Sequence, residues 1–188
     1  MLKEEVNRAL KVLQDGGIIL YPTDTIWGIG CDATNINAVK KIYALKQRDE
    51  AKSLIILVDT ENKLESYISQ VPDVAYDLIE FSENPLTLVM PGAKNLAPNL
   101  INIDGSVAIR VSKHIFNQQL IQRFRKPIVS TSANISGKPS PKNFSDIARE
   151  IIEGVDYVVD LEQAEQSEKK PSTIMRLEPD GRFEFIRK

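Results

Sequence analysis

The chain holds a single cysteine, Cys31, and a single histidine, His114, in 188 residues. That scarcity excludes an internal disulfide, a Cys/His zinc cluster and any multi-histidine metal site. Long apolar runs are also missing: none approaches the ~20 residues that a membrane-spanning helix requires. Met1 is followed by Lys3, Glu4 and Glu5, not by a basic and then apolar leader. The expected setting is cytoplasmic, without membrane association. Neither sign of charge dominates, with 24 Lys+Arg against 26 Asp+Glu. This balance argues against wholesale coating of nucleic acid, although a local basic cleft can hide inside such an average. The usual nucleotide loops are absent too. Gly28 and Gly30 make G-x-G without the third glycine of a dinucleotide fingerprint, and no G-x-x-x-x-G-K-[ST] occurs.

What is present is ordinary globular composition, 42% hydrophobic and 27% charged, which suits one domain over residues 1–188. Val6, Ala9, Leu10 and Leu13 share a helical face within residues 3–15, and Gly16-Gly17 supplies the stop. A strand is predicted at 18–21, then a helix from Asn37 to Gln47 capped by Asn35, and a strand at 54–58. Helices follow at 61–68 and 72–81, strands at 86–90 and 107–111, and a helix at 115–124. Beyond these come a strand at 128–131, a Ser/Gly/Pro-rich loop at 132–141, a helix at 144–153 and a strand at 157–160. Strands at 173–177 and 182–186 flank Glu178-Pro179-Asp180-Gly181 and read as a terminal hairpin. The alternation predicts an α/β fold with a twisted, mixed sheet flanked by helices.

Four polar, turn-forming segments interrupt the pattern: YPTDTIWGIG (21–30), LKQRDEAKS (45–53), STSANISGKPSP (130–141) and PST (171–173). Each adjoins a predicted strand, and in open α/β sheets ligands bind at strand ends, so the four can converge on one crevice. Read locally, each segment also has a plainer explanation. Lys46, Arg48 and Lys52 suit a solvated helix end. Ser130, Thr131, Ser132 and Asn134 suit phosphate or ribose oxygens, but equally a turn with an N-cap. Trp27 suits either base stacking or the core, with the core favoured. Asp24 and Asp32 read as turn or cap residues, His114 as a cap or surface residue, and Cys31 as a buried, inert thiol.

Taken together, YPTDTIWGIGCDA, a helix ending in KQR, PLTLVMPG, VAIRV, STSANISGKPSP and a late PST resemble the YrdC-like threonylcarbamoyl-AMP synthases, in their short form, over residues 16–177. The resemblance implies a twisted mixed sheet around a basic cleft, and an enzyme that makes threonylcarbamoyl-AMP and pyrophosphate from L-threonine, bicarbonate or CO2, and ATP. It further implies tRNA threonylcarbamoyl-transfer proteins downstream and a possible tRNA contact. Carried over, Thr25, Arg110, Ser130 and Thr173 would hold threonine. Lys46, Arg48, Lys52, Ser106, Ser132, Asn134 and Ser140 would surround ATP, with Lys46 and Arg48 neutralising the triphosphate. Mg2+ would arrive on the phosphates, without a carboxylate cage of its own. The chain departs from the family pattern at Asp49 and Ser53, where proline is usual, at Lys52, where asparagine is common, and at Leu57, where some members place a histidine that contacts threonine. A rival expectation is an RNA-binding module using the same basic cleft, although no basic strip with interleaved aromatics stands out.

Overall fold

The structure is a computed structural model that describes residues 1–50, 54–165 and 169–188. Among the described residues, nine strands form one mixed sheet in the order β7-β1-β2-β6-β3-β5-β4-β8-β9. They are β1 Ile19–Tyr21, β2 Gly28–Gly30, β3 Ile55–Val58, β4 Leu86–Met90, β5 Val107–Val111, β6 Ile128–Ser132, β7 Tyr157–Val158, β8 Thr173–Leu177 and β9 Phe183–Arg187. β3 runs parallel to β5 and antiparallel to β6, while β4 pairs antiparallel with β5 and parallel with β8. Among the described residues no helix is long and apolar enough to cross a membrane.

Helices cover both faces. α1 (Leu2–Gln14) and α5 (Ile115–Phe124) bury Val6, Ala9, Leu13, Phe116, Leu120 and Phe124 against Ile19, Tyr21 and Leu57. The opposite face packs residues of α2 (Ile36–Lys46), α3 (Leu64–Tyr67), α4 (Val74–Phe81) and α6 (Arg149–Gly154) around Ile29, Ile56, Ile109 and Val129. The alternation of Ile56 and Leu57 between the two clusters follows from the two-residue period of a strand. The cap read at Asn35 is present: its side chain accepts from the N–H groups of Asn37 and Ala38.

The structure differs from the pattern in three places. Gly28–Gly30, read as part of a turn, is a strand: it pairs with both β1 and β6, and the close approach of its neighbours leaves no room for a side chain at Gly30. A Cβ on Gly30 would meet the Val129 carbonyl at 2.5 Å and the Tyr21 ring at 2.7 Å. That close approach lets the buried Tyr21 hydroxyl donate to the same carbonyl at 3.0 Å. The helix predicted at 144–153 is broken: a 3-10 turn, Phe144–Asp146, gives way to extended Ile147 and Ala148 before α6. Here the Asp146 carboxylate accepts the Lys142 N–H, a local bond that competes with helix propagation. The strand predicted at 157–160 is shortened to Tyr157–Val158, and the Asp160 N–H is engaged by the buried Glu5 carboxylate at 2.7 Å.

One tether positions the loop after β6. Lys46, the last residue of α2, is only 1% exposed. Its ammonium donates to the carbonyls of Ser132 and Asn134, the latter at 2.6 Å, and lies 3.4 Å from Asn134 Oδ1. In return, the Ser136 N–H donates to the Lys46 carbonyl. Burial, with the Arg48 charge adding to it, pushes the Lys46 ammonium down to about 7.

Gly30→Ala should cost about 2 kcal/mol in denaturant unfolding, the usual scale of overpacking against fixed neighbours; an unchanged midpoint would contradict the close approach. Lys46→Met should cost a similar amount, about 2 kcal/mol, by leaving buried carbonyls without donors. Because folding lowers the proton affinity of Lys46, the unfolded chain binds more protons between pH 7 and the free-lysine range. Wild-type stability measured relative to Lys46→Met should therefore rise from pH 7 to pH 10. A flat or falling difference would contradict the burial argument.

Candidate active site

On the sheet face shared with α1 and α5, but beyond their cover, lies an open cleft of about 320 Å³. Sheet register builds its floor. Ile55 of β3 sits opposite Ala108 of β5 and Ser130 of β6, and Leu57 sits opposite Arg110. Ala108, Arg110, Ser130 and Ser132 all line the cleft, as two-residue spacing on neighbouring strands requires. The β1–β2 loop adds Thr25 and Trp27, the end of α2 adds Arg48, the loop after β6 adds Ser140, and the approach to β8 adds Pro171 and Ser172. β9 contributes Arg187.

The lining combines arginines with hydroxyls. Arg48, Arg110 and Arg187 face it, and no carboxylate is found among its described lining residues. The Arg110 side chain is 3% exposed and its Nη2 lies 3.3 Å from Asp24 Oδ1. Arg187 donates through Nε and Nη2 to the Ser172 carbonyl at 3.1 and 2.7 Å. Burial lowers the Arg187 pKa, and the positive charge of Arg110 lowers it further. Two guanidinium groups that disfavour one another, held beside one hollow, favour an anion there.

The hydroxyls are oriented as well. Thr23 Oγ1 donates its one hydrogen to the Ile26 carbonyl and accepts the Thr25 N–H. In its 2.9 Å contact with Thr25 Oγ1, Thr25 is therefore the donor, which leaves the Thr25 lone pairs available as acceptors for a ligand amine or hydroxyl. Ser172 is buried, with its hydroxyl 2.8 Å from that of Thr87. Trp27 is 7% exposed and packs on Phe144 with ring centroids 4.9 Å apart, so it is a core residue with one edge on the cleft.

Neither reactive side chain that the sequence offers belongs to this lining. Cys31 is fully buried and burial pushes its thiol well above the usual range. His114 Nε2 is 2.6 Å from Glu162 Oε1, at the N-terminus of α5. Asp32 is a turn residue: it accepts from the backbone and hydroxyl of Thr34 and pairs with Lys126.

Of the residues that the resemblance assigns to the site, six meet in the cleft, Thr25, Arg48, Arg110, Ser130, Ser132 and Ser140, and Trp27 and Thr131, singled out on local chemistry, line it as well. Four others do not line it. Lys46 lies behind the loop it tethers. Asn134 lines an adjoining hollow that shares Ser140 with the cleft, and donates to the Lys138 carbonyl at 2.6 Å. Thr173 falls between Ser172 and Ile174, which do line it, so strand alternation turns it away. Ser106 is fully buried in the turn before β5, donating to Asp104 at 2.7 Å and accepting from Asn102 at 2.9 Å. Lys52 lies outside the described residues. Sequence reasoning missed Arg187, and within the PST segment it named Thr173 where Ser172 lines the cleft. An arginine at the end of a terminal hairpin reads as solvated, and only the β4–β8–β9 order brings it round to the cleft.

Known proteins are similar to this chain in sequence and in fold. Residues 11–188 match the Sua5/YciO/YrdC family, which carries the description telomere recombination. A threonylcarbamoyl-AMP synthase from Pseudoalteromonas translucida is 37% identical over 172 residues, 90% of this chain and 91% of that protein. The crystal structure of P. abyssi Sua5 complexed with L-threonine superposes with a TM-score of 0.81 at 29% identity, covering 92% of this chain and 50% of that one. The present chain thus spans about half the length of that Sua5. E. coli YciO superposes over 100% of this chain and 90% of its own, with a TM-score of 0.85 at 22% identity, a likeness of fold. With a family match over nearly its whole length and a relative of 37% identity at nearly full mutual coverage, this chain belongs to the Sua5/YciO/YrdC family.

Proposed function

We propose that this chain is an L-threonylcarbamoyladenylate synthase, joining L-threonine, CO2 or bicarbonate, and ATP into threonylcarbamoyl-AMP with release of pyrophosphate. The observation that carries the reading is the convergence of Arg48, Arg110 and Arg187 with the hydroxyls of Thr25, Ser130, Ser132 and Ser140 on one cleft that lacks a nucleophile–base pair among its described residues. The relatives named threonylcarbamoyl-AMP synthase support the same reaction.

The chemistry asks for what this lining offers. The α-amine of threonine attacks the carbon of CO2, its N–H proton passes to solvent, and a carbamate forms. A carbamate oxygen then attacks the α-phosphorus of ATP in line, the bond to the β-phosphate bridging oxygen breaks, and pyrophosphate leaves with that electron pair. No covalent enzyme intermediate is needed, so positioning and charge neutralisation supply the catalysis. In this reading Arg110 receives the threonine carboxylate, and Thr25 and Ser130 orient its polar groups, with Thr173 behind them on β8. Arg48 grips triphosphate oxygens two at a time, a geometry that lysine does not offer. Ser132 and Ser140 contact the nucleotide and Arg187 adds charge; Lys52, outside the described residues, keeps the ATP role that the resemblance implies. Lys46 and Asn134 act by shaping the loop that carries Ser132, and Ser106 acts by holding the turn that leads into β5. Mg2+ fits as an ion carried in by the phosphates, since the donor set here is guanidinium and hydroxyl and not carboxylate; its chemistry is to neutralise the phosphate charge.

The product is an activated carbamoyl group on AMP, so the partners are transfer proteins that pass it to a tRNA adenosine, with direct tRNA contact a further element of the proposal. The setting proposed is cytoplasmic. RNA binding as the sole role of the cleft is not favoured: its walls bring together arginines, hydroxyls and aliphatic residues, with Trp27 buried and not presented for stacking.

Pyrophosphate release from ATP should require both L-threonine and bicarbonate, and equal release without threonine would sink the assignment. Arg48→Ala should lose about 2–4 kcal/mol of transition-state stabilisation with little change in melting temperature. Arg48→Lys should recover only part of that loss. Unchanged turnover in Arg48→Ala would remove this residue from the site.

A further inference from the structure

Asp24, in the middle of the β1–β2 loop, stands behind Arg110 and outside the cleft. It borders a small hollow with Ser82, Pro85, Leu86, Val111 and Lys113, and does not line the arginine-bearing cavity. Its two oxygens have different tasks. Oδ2 accepts the backbone N–H of Lys113 at 3.1 Å, which fixes the carboxylate to the junction between β5 and α5. Oδ1 lies 3.3 Å from Arg110 Nη2, with the two side chains 12% and 3% exposed. That second contact is one of charge without alignment: Asp24 Oδ1, Arg110 Nε and Arg110 Nη2 are all buried and make no hydrogen bond.

An arginine seated bidentate on a protein carboxylate has its donors engaged and its plane fixed, and a substrate carboxylate would have to displace that partner. An arginine buried with no counter-charge would suffer a large desolvation penalty. Asp24 avoids both outcomes. Anchored through the Lys113 N–H, it supplies the counter-charge but is held off the N–H directions of the guanidinium.

We propose that Asp24 is a positioning residue for recognition of the amino-acid carboxylate, holding Arg110 at the cleft wall by charge while leaving its hydrogen-bond donors unengaged. This rests on the reading above that Arg110 receives that carboxylate. Asp24 itself touches no substrate, and its effect on threonine runs through Arg110.

Asp24→Asn tests the proposal, since it keeps the shape and the acceptor for the Lys113 N–H and removes the charge. KM for L-threonine should rise roughly tenfold, about 1.4 kcal/mol, with KM for ATP unchanged. In an Arg110→Gln background the same change should add nothing further to the threonine KM, because the two residues act as one unit. If the asparagine variant does not fold, Asp24→Glu, which keeps the charge but moves it, should show the same threonine-selective rise. Equal rises in KM for threonine and ATP would overturn the proposal in favour of a purely structural tie, as would a full additional effect in the Arg110→Gln background. Arg110→Gln alone with an unchanged threonine KM would overturn the carboxylate assignment itself, and with it the proposal; a weakened Arg110→Gln beside an unaffected Asp24→Asn would overturn the proposal only.

Discussion

Arg110 and Arg187 hold two positive charges beside one hollow, close enough for Arg110 to weaken the hold of Arg187 on its proton. Left to themselves, two such groups would separate or turn to solvent. The fold prevents this from several directions. Arg110 rises from a central strand whose backbone is bonded on both sides, to β3 and to β4. Arg187 is tied by two hydrogen bonds to the Ser172 carbonyl at the start of β8. The two guanidinium groups are thus held beside the cleft by the sheet, where a bound anion would offset their mutual repulsion.

The loop after β6 shows the same economy of means at the other wall. A buried ammonium, Lys46, gathers the carbonyls of Ser132 and Asn134 and so sets where Ser132 stands relative to Arg48, two residues beyond the helix end that carries both cations. The K-x-R spacing then has a physical sense: Lys46 points inward to the loop, the left-handed Gln47 turns the chain, and Arg48 reaches the cleft. A single helix terminus therefore supplies one side chain that holds the loop and one that faces the cleft.

Much of this was legible in the sequence, and what was not has identifiable causes. The helical faces, the Asn35 cap and the terminal hairpin follow from periodicity and turn chemistry, which are local. β2 was hidden because Gly28 and Gly30 have poor strand propensity, and their value lies in what β1 and β6 press against them. Local chemistry also favoured a solvated helix end for Lys46 and Arg48; the family resemblance moved both to the site, and the structure puts Arg48 on the cleft and buries Lys46 against the loop after β6. Family resemblance pointed to most of the cleft, yet it did not separate residues that face it from those that support it: Ser106 and Asn134 are saturated by near neighbours in sequence, and Thr173 is turned away by strand alternation. Arg187 was missed because its position depends on the β4–β8–β9 order, which no short segment encodes.

The central claim is that this cleft couples carbamoylation of an amino acid to attack on ATP, and not simple adenylation of its carboxylate. Incubating the protein with ATP, L-threonine and carbon-13-labelled bicarbonate, followed by mass spectrometry of the nucleotide product, tests it most directly. The account predicts an AMP adduct of threonine that carries the heavy carbon. An unlabelled threonyl-AMP, or AMP formation with no threonine adduct, would contradict it.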